Sequence, residues 1–224
     1  MTSQQKDGLQ ILYHDLEEIL RTIWPGCHMK VFGSVMTGLA LRNSDVDCFV
    51  TNCEDEPVVC VEKCRDLIAN GGGPFRTAAV TIKRVPTVQF LHTVTGRRCE
   101  LSFNKPIAVE FNKLVGTLLA LDARAPKLAM IIKCWAKIHN VTGSRRLPSN
   151  ALIILIIFFL QLKEVLPPVA ALQRKVAPCM VEGWNTAFIN IRNYKSGNCQ
   201  STYNLLREFF ACYAQFDFRN LVVC

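Results

Sequence analysis

No segment of this chain is apolar for long enough to cross a bilayer. Residues 151–160 are all hydrophobic, but a spanning helix needs about twenty such residues. Residues 1–10 are polar and carry no signal-peptide core. The chain shows no internal repeat and no low-complexity stretch, which argues against solenoids and tails. Acidic residues are the scarcer charge, 18 against 26 basic, leaving a net charge of +8. Such a balance fits an anionic partner, nucleic acid first, with plain solubility as the bland alternative. The four histidines do not extend Cys60 and Cys64, at i and i+4, into a zinc pattern. Eleven cysteines without a repeating spacing exclude a disulfide framework. They read as reduced thiols of a cytosolic or nuclear protein, with Cys48 and Cys134 serving as small apolar residues.

What the chain does have is hydrophobic residues, 50% of 224, enough for one large domain or two small ones. Leu9, Leu12, Leu16, Ile19 and Ile23 recur at helical spacing, predicting an opening helix over 5–24 that stops at Pro25-Gly26. Hydrophobic runs around Gly33-Ser34 and Asp45-Val46-Asp47 predict two short strands. Glu54, Asp55 and Glu56 then favour a helix start, with Val58, Val61, Cys64 and Ile68 as its apolar stripe, ended by Gly71-Gly72-Gly73-Pro74. Strands are expected at 78–85, 88–91 and 98–103, the last two joined by a turn at Thr95-Gly96. From residue 107 the period changes to helices at 107–121, 126–140, 149–163 and 201–214. The fold class expected is α/β (α+β), a mixed sheet followed by a mainly helical domain.

The chemistry concentrates between residues 31 and 50. On a strand, Asp45 and Asp47 project to one face, and paired carboxylates of this kind call for a hard divalent cation. The Gly33-Ser34 turn offers backbone N–H groups and a hydroxyl to a phosphate. In the later strand Glu100 alternates away from the apolar Cys99, Leu101 and Phe103, supplying a third carboxylate. Metal-assisted nucleotide chemistry is the reading these residues carry.

Those motifs resemble the nucleotidyltransferase superfamily, in particular the terminal uridylyltransferases and noncanonical poly(A) polymerases. The likeness extends through Cys99-Glu100-Leu101-Ser102-Phe103-Asn104, Ile132-Lys133-Cys134-Trp135-Ala136-Lys137, Leu147-Pro148-Ser149-Asn150-Ala151-Leu152 and Phe159-Leu160-Gln161. Val165-Leu166-Pro167 and Gly183-Trp184-Asn185 are most similar to the uridylyltransferases that act on a spliceosomal small nuclear RNA. The resemblance implies a nucleotidyltransferase palm at 25–106 and a helical central domain, of the kind associated with poly(A) polymerases, at 107–224, joined by the 5–24 helix. It implies Asp45, Asp47 and Glu100 as catalytic ligands of Mg²⁺ or Mn²⁺, with UTP or ATP as substrate and an RNA 3′ end as acceptor. Gly33, Ser34, Lys133, Lys137, Ser149 and Asn150 would bind the nucleotide. Lys83, Arg84, Arg97, Arg98, Arg145 and Arg146 are candidates for an RNA-facing surface, with scattered solubilising charge as the alternative.

Three positions depart from the family pattern: Glu100 stands where Asp is usual, Phe111 where Asn is usual, and Asn150 where a base-stacking Tyr is usual. Asn112, next to Phe111, is a candidate substitute. Family members also continue beyond residues 209–218 with a nucleotide-recognition loop, so a homodimer or a partner chain is expected to cover the exposed end. Three functions stay open: an active transferase adding UMP or AMP to RNA 3′ ends, a catalytically degenerate RNA-binding or protein-interaction module of the same fold, and transfer to a non-RNA acceptor such as a protein or small alcohol, because a metal site alone does not name the acceptor.

Overall fold

The computed structural model describes residues 3–41, 44–71, 73–82, 85–103, 107–143, 145–191 and 193–223, the side chains of 3–6, 77 and 78 excepted. Contacts divide the chain into two compact units, Met1–Asn112 and Lys113–Cys224.

The first unit opens with α1 (Ser3–Arg21), whose Leu9, Leu12, Leu16 and Leu20 are buried at helical spacing. Next come β1 (His28–Phe32), the single turn α2 (Gly33–Met36), β2 (Val46–Thr51) and α3 (Pro57–Ala69). Strands β3 (Phe75–Thr81), β4 (Thr87–His92) and β5 (Arg97–Phe103) complete a five-stranded sheet of order β1-β2-β5-β4-β3. Only β2 and β5 run parallel; the other pairs are antiparallel, so the sheet is mixed as expected. Alternation sends Val46, Cys48, Val50, Cys99, Leu101, Phe103, Val88 and Phe90 into one core with α1 and α3. The intervening residues emerge on the opposite face.

Two details differ from the sequence reading. Pro57 opens α3 at its first turn, and the buried stripe becomes Cys60, Val61, Cys64 and Ile68, leaving Val58 exposed. Strand β3 begins at Phe75, three residues before the expected start, because Phe75 is itself core and packs edge-on to Phe90 at 5.3 Å.

α4 (Ile107–Ala120) carries the chain from the first unit into the second. The second unit continues with α5 (Arg124–Ile138), α6 (Ser149–Leu162), the short α7 (Val169–Gln173), a hairpin of β6 (Met180–Val181) and β7 (Trp184–Asn185), and α8 (Thr202–Gln215). The helix α6 is apolar around most of its circumference and buries six side chains from Leu152 to Leu160, as a central helix does. Phe159 meets Phe209 of α8 edge-on at 5.5 Å, and Trp135 of α5 meets Phe210 at 4.6 Å. Arg124 fastens the approach to α8. Its guanidinium donates to Asp122, Ser196 and Asn198 and to the Gln200 carbonyl at 2.7–3.1 Å. The buried side of α5 is Ala125, Leu128, Ala129, Ile132 and Ala136, and Ile131 and Ile138 face outward. The short α7 and the β6–β7 hairpin carry too few residues to show a period.

Candidate active site

The parallel pairing of β2 with β5 sets Asp47 opposite Glu100. Neighbouring strands lie about 4.8 Å apart, so both side chains leave the sheet side by side on the face away from the core. Both are half-buried. Like charges in such neighbouring positions repel, and a cation between them relieves this. Asp45 is exposed and sits one residue before β2 begins. Its carboxylate acts on the Cys99 thiol, which burial first and then Asp45 push up to about 12.

Gly33 lies directly against Asp47. It adopts φ +71°, a left-handed conformation that suits glycine, and a Cβ there would stand 2.7 Å from Asp47 Cγ. Ser34 follows as the second residue of α2, its carbonyl accepting from the Leu39 N–H at 2.9 Å. So the first unit brings Gly33, Asp47 and Glu100 together.

One polar neighbour of the carboxylates escaped the sequence reading. Gln89 on β4 pairs in register with Glu100, and its Nε2 donates to Glu100 Oε2 at 2.7 Å. The register comes from the turn at 93–96, which sets His92 against Arg97 and, three residues further out, Gln89 against Glu100; counting from a turn centred on Thr95-Gly96 would have placed Leu91 there instead. That turn is anchored by His92, fully buried, whose Nδ1 meets Thr95 Oγ1 at 2.8 Å and whose Nε2 meets Asp15 Oδ2 of α1 at 3.0 Å.

In the second unit, Lys133 and Lys137 lie one turn apart on α5, Lys133 half-buried and Lys137 exposed. Ser149 and Asn150 are the exposed first residues of α6, after Pro148 at its N-cap. Arg145 and Arg146 are exposed in the preceding loop. Arg145 has φ +58°, and Arg146 donates to the Asn140 carbonyl at the end of α5. Lys83 and Arg84 lie outside the described residues. Asn112 does not offer its amide outward: it is buried and donates to the Ala108 carbonyl one turn back at 2.6 Å.

Among the described residues, no three His, Cys, Asp or Glu side chains gather into a metal-holding group. Mg²⁺, however, is usually held by one or two carboxylates together with substrate phosphates and water rather than by an all-protein cage. The Asp47–Glu100 pair, oxygen-bearing and open to solvent on one face, fits a cation of that kind.

A mixed sheet with a Gly-Ser turn beside its carboxylate strands defines a nucleotidyltransferase palm. The chain belongs to the family described as Poly(A) RNA polymerase, mitochondrial-like, central palm domain, which matches residues 2–119. A speckle targeted PIP5K1A-regulated poly(A) polymerase of Xenopus tropicalis is 32% identical over 164 residues, covering 68% of this chain and 20% of that protein. The mitochondrial poly(A) RNA polymerase of Mus musculus is 26% identical over 242 residues, covering 91% of this chain and 41% of that protein. The crystal structure of the Cid1 poly(U) polymerase with MgGTP superposes with a TM-score of 0.83 at 25% identity, over 100% of this chain and 72% of that one. This chain therefore spans a fifth to two fifths of the length of these two polymerase relatives. Neither the relatives nor the structure supports the expected homodimer. No helix among the described residues is long and apolar enough to cross a membrane.

Proposed function

We propose that this chain is the catalytic part of a template-independent RNA nucleotidyltransferase that adds AMP or UMP to RNA 3′ ends. The observation that carries the reading is the in-register pair Asp47 and Glu100 on the open face of the palm, with Gly33 against Asp47. The names of the relatives and the nucleotide in the Cid1 crystal support the same class of substrate.

Asp45, Asp47 and Glu100 would hold Mg²⁺ or Mn²⁺, which when bound polarises phosphoryl oxygens and lowers the pKa of the attacking hydroxyl. In the proposed reaction the RNA 3′ oxygen forms a bond to the α-phosphorus. The bond from that phosphorus to the bridging oxygen breaks, and pyrophosphate leaves. Glu100 is the candidate acceptor of the hydroxyl proton, and the carboxylate pair orients the reactants. Gly33 and Ser34 hold the β- and γ-phosphates. Lys133 and Lys137, one turn apart on α5, and Ser149 and Asn150 at the start of α6 are assigned to nucleotide binding on the family resemblance. Arg145 and Arg146, with Lys83 and Arg84, are assigned to the RNA backbone.

A second reading, a binding module of the same fold without catalysis, draws support from the Asn112 amide, which is engaged within its own helix. Extension of a labelled oligoribonucleotide with each nucleoside triphosphate in turn, in Mg²⁺ or Mn²⁺, separates the two. The transferase reading expects extension by the wild type and none by Asp47→Ala, with unchanged circular dichroism, and the preferred triphosphate settles AMP against UMP. RNA binding without extension by any triphosphate would establish the module instead.

A further inference from the structure

We infer that Gln89 is a positioning residue that fixes the Glu100 carboxylate for cation binding. The inference rests on the proposed reading of Glu100 as a ligand. One register row runs across the outer face of the sheet as Phe32, Asp47, Glu100, Gln89 and Ala79 on five successive strands. Within that row the glutamate is bracketed by an anion on β2 and an amide on β4. The carboxylate is an acceptor only, so the amide nitrogen is the group that faces it. The 2.7 Å bond engages Oε2 and leaves Oε1 directed by a side chain that is no longer free to swing.

The bond matters because Glu100 is longer than the residue its position resembles. A glutamate has one more rotatable bond than an aspartate, and with it more ways to miss a ligand position. A displacement on the order of 1 Å costs about a hundredfold in rate. Gln89 removes that freedom from the side away from Asp47. Gln89 itself is exposed and adds nothing to the core. Its backbone position opposite Glu100 is held by the β4–β5 register, which buried His92 ties down through Asp15 and Thr95.

The test compares the full chain with Gln89→Ala, Gln89→Asn, Glu100→Asp and the double variant Gln89→Ala/Glu100→Asp. Mn²⁺ affinity is read by electron paramagnetic resonance in the presence of a non-hydrolysable ATP analogue, and oligoribonucleotide extension is measured alongside. Partners of this kind typically alter metal affinity or activity by about 10–100-fold. Gln89→Ala and Gln89→Asn, whose amide is one methylene too short to reach, are expected to weaken Mn²⁺ binding roughly tenfold. The loss should fall on kcat rather than on KM for RNA, with thermal unfolding unchanged. In the Glu100→Asp background, Gln89→Ala should add no further loss, since the shorter carboxylate lies out of the amide's reach.

Unchanged Mn²⁺ affinity in Gln89→Ala overturns the inference, as does an equal loss in the Glu100→Asp background. A wild type that binds no Mn²⁺ with the nucleotide overturns the site reading and the inference together. A wild type that binds Mn²⁺ but extends nothing removes only the proposed activity, and the affinity comparison still decides the role of Gln89.

Discussion

Gly33 and Asp47 approach so closely that a methyl group on Gly33 would stand 2.7 Å from the carboxyl carbon of Asp47 and nearer still to its Oδ2. Gly33→Ala therefore faces two costs, the left-handed backbone at φ +71° and the displacement of Asp47. The backbone alone is worth about 1–2 kcal/mol. We expect a lower thermal midpoint by calorimetry. If the site reading holds, a roughly hundredfold loss of nucleotide incorporation accompanies it, because Asp47 would have to move.

Lys137 tests the nucleotide-binding role assigned to α5. It is exposed on α5, and its truncation removes no core contact. Lys137→Ala should leave the unfolding curve in place and raise KM for the nucleoside triphosphate roughly tenfold, in keeping with the loss of one charged hydrogen bond. Steady-state extension kinetics at varied triphosphate would show it. An unchanged KM would remove Lys137 from the nucleotide site.

Acid sensitivity should be traceable to Asp122. Its hydrogen bonds from Arg124 hold the carboxyl below the usual aspartate range, and its side chain is only 13% exposed. A depressed folded-state pKa means that this stabilisation is complete above the unfolded value, about 3.9, and is lost as pH falls through the folded one. The wild-type melting temperature should therefore fall more steeply below about pH 4 than that of Asp122→Asn. At neutral pH, Arg124→Ala should cost about 2–3 kcal/mol, because it orphans several partners at once.

Thiol chemistry should divide the cysteines. Burial pushes the Cys60 thiol up to about 11 and those of Cys53, Cys64 and Cys99 up to about 12, and it raises Cys27 and Cys48 as well. Among the described residues only Cys179 and Cys199 are exposed. Brief alkylation of the native protein at neutral pH, read by peptide mass spectrometry, should modify Cys179 and Cys199. The six buried thiols should become reactive only in denaturant.

Local pattern was enough to identify most of the architecture. Helical spacing located α1, α4, α5, α6 and α8 to within a few residues, because each buries a continuous stripe or is apolar throughout. The Gly33-Ser34 turn, the strand carrying Asp47 and the alternation that turns Glu100 outward were all visible as residue types at short range, whereas Asp45, expected on the same strand, stands just before it. Where two stripes compete, the pattern was insufficient. On α3, Val58 and Cys60 both lie at plausible spacing, and packing against the sheet chose Cys60. On α5 the alanines, not Ile131 or Ile138, face inward.

What the sequence by itself determined was therefore which elements form and which residues can carry charge, oxygen ligands and a left-handed turn. Tertiary structure alone decided that Asp47 meets Glu100, about fifty residues away in the chain, and that Asn112 turns back on its own helix. Strand order and register arise from hydrogen bonding between distant segments and from burial of one sheet face, and a slip of one residue would send every side chain to the other side. No local spacing records that choice.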